Sequence, residues 1–250
     1  MMMTIAQREL KTLFLSPLAW SILAVLQFIL AYLFLSQVET FNAFQARLAG
    51  IDNGPGLSDI VVTPLFGNAA IILLLVTPLL TMRLVSEERR NKTLSLLLSA
   101  PVNGGEIIAG KYLGILGLLL MIVALICLMP LSLLLGGELD LGKLFCNILA
   151  LSLLLASFAA VGLYMSCIAN HPTLAAVGSF GLLLLLWILD WTAGVNGQSS
   201  EVFAYLSILQ HFQNLQSGLL ASSDVLYFIL FSATFITLSI RRLEYDRLQK

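Results

Sequence analysis

Four groups of residues in this 250-residue chain carry side chains suited to chemistry. Glu87-Glu88-Arg89-Arg90 sets two carboxylates beside two guanidinium groups. That set suits acid–base work or an ion-pairing surface. His211-Phe-Gln-Asn214 adds an imidazole and an amide, and with the acidic pair it offers the residue types of a membrane peptidase. Gly105-Glu-Ile-Ile-Ala-Gly110-Lys111 satisfies the phosphate-cradling pattern G-x-x-x-x-G-K. Cys127, Cys146 and Cys167 complete the inventory. The phosphate loop fails on its own terms, because Tyr112 stands where a Ser or Thr must ligand Mg²⁺ and no strand precedes it. The cysteines lack metal-ligand spacing and read as small buried hydrophobes. His171 is a lone polar residue at a turn, and no H-E-x-x-H or G-x-S-x-G occurs.

The elements that must hold these residues follow from composition. The chain is 59% hydrophobic and 11% charged, with a mean hydropathy of +0.96. Soluble domains carry roughly 25% charge, so a soluble enzyme is excluded. A net charge of −1 excludes the basic footprint of a nucleic-acid binder. A membrane span needs about 20 apolar residues, and the runs free of Asp, Glu, Lys and Arg map them. Asn170-His171-Pro172 divides the longest run, Leu144 to Leu189, into two helices. The reading is a single all-α membrane domain over 1–250, with six spans near 18–37, 61–83, 111–135, 144–168, 173–190 and 223–241.

Lys/Arg bias orients the bundle. With both termini cytoplasmic, only Arg47 and Lys143 of the 13 basic residues face out. His211 then lies outside and Glu87 inside, a hydrocarbon core of about 30 Å apart, so they share no catalytic site. Ionisable residues are missing from the five charge-free runs, which argues against an ion-coupled transporter. Ahead of the first span, Thr4-Ile5-Ala6-Gln7 fits a capping box. Ile5, Leu10, Leu13 and Phe14 share a face, and Arg8 and Lys11 decorate the other. A short amphipathic helix in the cytoplasmic interface is expected, ended by Ser16-Pro17. The apolar run after it is too long for a secretory signal. On the outer side, Glu39 to Asp59 reads as a short amphipathic helix followed by a turn.

The loop from Arg83 to Lys111 concentrates eight charges in 29 residues. Its charged half precedes an apolar half, Leu94 to Leu98, and then the breakers Pro101 and Gly104-Gly105. Such a helix lies at the surface, apolar side on the bundle and polar side toward a partner; composition alone equally allows a charged turn anchoring two spans. Here Ser86-Glu87-Glu88-Arg89-Arg90, Thr93-Leu94-Ser95-Leu96-Leu97-Leu98-Ser99-Ala100-Pro101 and Glu106-Ile107-Ile108-Ala109-Gly110-Lys111 resemble the signature of type-2 ABC transporter permeases. The chain departs from it at Lys92, where the family usually has Gly, and at Ser95, often Glu. A second stretch, Tyr205 to Gly218 followed by Asp224-Val-Leu-Tyr227, is similar to the segment before the last helix in the gliding-motility-type subgroup.

The resemblance implies a transmembrane subunit with no ATPase or catalytic site of its own. It implies pairing with a second permease subunit, homo- or heterodimeric, and with two cytoplasmic ABC ATPases that bind ATP and Mg. An accessory extracytoplasmic protein and residence in the bacterial inner membrane are also expected. By carry-over, Glu87, Glu88, Arg89, Arg90, Thr93, Leu94, Leu97 and Leu98 form the ATPase-coupling helix, braced by the N-terminal helix around Arg8 and Lys11. The polar stretch 191–223 is expected to be an external or re-entrant helix, with His211, Phe212 and Asn214 as an extracellular gate. The alternative function is mechanical or regulatory work in an ABC complex without translocation, or a passive channel or scaffold.

Overall fold

A computed structural model describes residues 2–48, 56–93, 103–135, 139–195, 207–218 and 220–248, with backbone alone for 44–48, 135, 189–195 and 248. The elements described are all helical: α1 (Met2–Leu15), α2 (Pro17–Leu48), α3 (Thr63–Thr81, led in by a π-helical turn at Ser58–Val62), α4 (Ser86–Arg90), α5 (Gly104–Ser132), α6 (Leu141–Ile168), α7 (Pro172–Val195), α8 (Ile208–Gln216) and α9 (Ser222–Leu248). Five stretches are long and apolar enough to cross a membrane: Pro17–Ala43, Ser58–Arg90, Gly104–Ser132, Leu141–Ile168 and Ser222–Arg247. A sixth apolar stretch, Pro172–Ile188 within α7, is shorter.

Local chemistry sets the helix boundaries. Pro17 begins α2 and Pro172 begins α7, using the first helical turn where a missing N–H costs nothing. Asp140 caps α6 by accepting from the backbone N–H groups of Gly142 and Lys143 at 2.9 and 3.1 Å. Glu106 accepts from the Asn103 N–H at 3.4 Å at the start of α5, half of a capping box. The box expected at Thr4–Gln7 is not one, because α1 already begins at Met2 and places Thr4 inside the helix. The front of the Glu39–Asp59 stretch is helical as expected, but as a continuation of α2 to Leu48, since no Gly or Pro interrupts the chain between Pro17 and Gly50.

The helix α6 is the hub, packing against α3, α5, α7, α8 and α9. Its Ala150, Leu151, Leu154, Phe158 and Val161 are buried in the main core. By contrast, α2 and α9 present apolar side chains outward, among them Phe28, Tyr32, Leu35, Ile229 and Leu230. Surfaces of that kind are stable against lipid, where no hydrophobic cost attaches to their exposure.

A close helix pairing joins α1 to the start of α5. A Cβ at Gly110 would lie 2.8 Å from the Ile5 Cβ and 2.9 Å from the Met2 carbonyl. At Gly114 it would lie 2.8 Å from the Glu9 Cβ and 3.1 Å from the Ala6 carbonyl. These notches let α1 settle onto α5 backbone to backbone, with Ile5, Leu13 and Phe14 against the core. The expected apolar face of α1 therefore meets protein. Gly114→Ala should lower thermal stability by about 1–3 kcal/mol through overpacking against backbone. Gly181→Ala, with nothing within 4 Å of the added carbon, should leave it unchanged or raise it, by up to about 1 kcal/mol. Melting of the two purified variants in the same detergent checks the contrast.

Candidate functional site

The charged loop between α3 and α5 folds back onto the end of the bundle. As α3 ends, its backbone needs partners that the helix itself no longer supplies. Ser166 of α6 provides them: its hydroxyl accepts from the N–H groups of Val85 and Ser86 at 3.0 and 3.1 Å and donates to the Met82 carbonyl at 3.0 Å. The Ser86 hydroxyl donates to the same carbonyl. A side chain 80 residues away thus fixes where α4 starts. At its other end, Thr93 N–H bonds to the Glu88 carbonyl at 3.0 Å and Lys92 N–H to the Arg89 carbonyl at 3.1 Å, a Schellman closure. Lys92 sits there with φ +58°, the left-handed conformation that favours glycine. The physical reason that a glycine suits this position is now visible, and this chain carries the strain instead.

Two ion-pair systems hold α4 down. Lys111, only 2% exposed, donates to Glu9 of α1 at 2.7 Å and to Glu88 of α4 at 2.8 Å. Arg89 pairs with Asp246 near the end of α9 and donates to the Cys167 carbonyl at the end of α6 at 2.7 Å. Four helices beyond α4 are therefore tied to two adjacent residues of a single turn. Glu88 and Arg89 point into the bundle, whereas Glu87 and Arg90 form a looser pair at 3.7 Å and stay half exposed. In the sequence the four charges read as one polar face and Lys111 as the end of a failed phosphate-loop pattern. The structure divides the four and buries the lysine.

The remaining predicted residues fall as follows. Thr93 is exposed beside α4, its hydroxyl 3.3 Å from the Glu88 carbonyl. Leu94, Leu97 and Leu98 lie outside the described residues. Arg8 and Lys11 are exposed on α1, on the face turned away from Gly110 and Gly114. At the opposite end of the bundle, α8 buries Ile208, His211, Phe212 and Leu215 at helical spacing. Its His211 Nδ1 lies 2.7 Å from an Asp224 carboxylate oxygen, and its ring stacks on Tyr227 at 4.1 Å. Asn214 is exposed, so the three residues expected to act together as a gate do not share a face. Asp224 and Asp246 stand 22 residues apart on α9, a rise of about 33 Å. The two charge systems are thus separated by about a hydrocarbon thickness.

A bundle whose described elements are all helical, with lipid-compatible outer faces and five helices of spanning length, defines a multi-pass membrane protein. The family model of the ABC-2 family transporter proteins matches residues 3–246, and the chain belongs to that family. No curated protein matches it significantly. Membership makes it the membrane component of an ABC transporter, associated with ABC ATPases and the bilayer.

The Lys111 system is open to test. Lys111→Met alone leaves two carboxylates facing one another in a poorly hydrated site and should cost about 3–5 kcal/mol. The triple variant Glu9→Gln, Glu88→Gln, Lys111→Met removes the charges together and should recover most of that loss. Thermal unfolding in one detergent measures both.

Proposed function

We propose that this chain is the transmembrane subunit of an ATP-binding-cassette exporter. In this reading it spans the membrane six times with both termini cytoplasmic, α7 supplying the fifth span. It forms the translocation path with a second permease subunit and is driven by two separate ATPases that bind ATP and Mg. The similarity at Tyr205–Tyr227 favours the gliding-motility-type subgroup, and the Lys/Arg bias favours a bacterial inner-membrane orientation with α4 inside.

The observation that carries the reading is the division of α4. Glu87 and Arg90 remain at the surface for a partner, while Glu88 and Arg89 are ion-paired into the bundle. A docked ATPase that displaces α4 cannot move it alone. Lys111 drags α1 and α5, and Asp246 drags α9. Thr93, Leu94, Leu97 and Leu98 would complete the contact with the ATPase, and α1, with Arg8 and Lys11, would brace it. On the outer side, α8 would follow α9 through the His211–Asp224 pair and open or close the exit, where an accessory protein would receive the cargo.

Glu87→Ala with Arg90→Ala should leave folding intact and lower ATPase stimulation in the reconstituted complex to the rate of the ATPase alone. Stimulation equal to the wild type would overturn the coupling assignment.

A further inference from the structure

Two cavities lie end to end along the seam between α2 and α3, and their chemistries differ. The first, of about 120 Å³, opens where α1 turns into α2. Leu80 and Leu84 supply an apolar floor, and Glu9, Glu87 and Arg83 supply charge of both signs. The second, of about 500 Å³, begins one helical turn further along the same helices and is almost wholly apolar. Ile22, Val25 and Ile29 of α2 face Ile71 and Leu75 of α3 across it.

The polar cavity sits at headgroup depth. Pro17 starts the span, and the exposed Trp20 beside it donates its indole N–H to the Phe14 carbonyl at 2.7 Å, in keeping with tryptophan at a membrane interface. Arg83 is exposed and has no hydrogen-bond or ion-pair partner among the described residues. Its neighbours Glu87, Glu88, Arg89 and Arg90 are all paired. Glu9 and Glu87 each engage Lys111 or Arg90 through Oε1, which leaves Oε2 of each as an acceptor.

We propose that these two cavities form one phospholipid site selective for an aminophospholipid. The primary ammonium donates to Glu9 and Glu87, the phosphate pairs with Arg83, and an acyl chain lies in the α2–α3 groove. A choline headgroup has no N–H to donate to the carboxylates. An anionic glycerol headgroup meets two carboxylates at the same rim and is repelled. The lipid would be wedged between α1 and α4, the two elements joined by Lys111, at the leaflet on that side of the bundle. The proposal depends on membrane residence and not on any ATPase.

The test is native mass spectrometry of the full-length chain, equilibrated with equimolar dioleoyl-phosphatidylethanolamine, -phosphatidylcholine and -phosphatidylglycerol. The wild type should retain the ethanolamine lipid about tenfold over either competitor, the worth of one charge-assisted hydrogen bond. Glu87→Ala should reduce that preference and Arg83→Ala should lower retention of all three lipids, whereas Arg8→Ala, on the exposed face of α1, should do neither. Val25→Trp, at an exposed position, should fill the groove and reduce retention of all three lipids. Equal retention of the three lipids by the wild type, or Arg83→Ala behaving as Arg8→Ala, would overturn the proposal. Displacement by soluble glycerophosphoethanolamine at a concentration equal to the lipid's would show a soluble ligand and overturn the lipid assignment.

Discussion

A lysine ammonium almost wholly removed from water must be compensated, and this constraint organises one end of the protein. Lys111 lies in the second turn of α5, at a depth where an unpaired charge would cost several kcal/mol. Glu9 and Glu88 meet that need from two different directions in the sequence. Neither carboxylate reaches the ammonium unless α1 lies close against α5 and α4 folds back under the bundle. The glycines at 110 and 114 make the first approach possible, and the Ser166 hydroxyl bonds make the second. Packing and electrostatics specify the same arrangement, which is the mark of a sequence committed to one structure.

The consequence is mechanical. A five-residue helix cannot form alone, since helices shorter than about 12 residues are marginal in water. The turn Ser86–Arg90 persists because its charges are anchored to α1, α5, α6 and α9. Those anchors make it a handle on the bundle. Its two outward residues, Glu87 and Arg90, are the ones whose positions the bundle does not dictate. That division separates the residues that hold the handle from the two that, in the proposed function, face an ATPase, and the proposed lipid would occupy the cleft beside it.

The long apolar helices were legible in the sequence because gaps in charge mark them, although only five reach spanning length and the stretch expected as the fifth span, Pro172–Ile188, is shorter. The break at Asn170-His171-Pro172 and the elbow at Ser16-Pro17 were legible because proline acts locally. The ion pairs were not. Glu9 and Lys111 are 102 residues apart and Arg89 and Asp246 are 157 apart, and no local pattern records which charge will meet which. The same loss of context produced the error at Thr4, where a capping pattern sat inside a helix that had already begun. The cap at Asn103-x-x-Glu106 follows the same local rule at a true helix start. His211 and Asn214 lie three positions apart on α8, but only the buried stripe of that helix, visible once it had packed, separated them.

In the proposed coupling, α1 and α4 move as one body through Lys111. Pulsed electron spin resonance between labels at positions 7 and 91, both exposed, measures this in the complex with its ATPase. On addition of a non-hydrolysable ATP analogue, the 7–91 distance should remain unchanged while the distance from position 91 to a label at 32, exposed on α2, shifts. A change in the 7–91 distance with the 91–32 distance held constant would contradict the account.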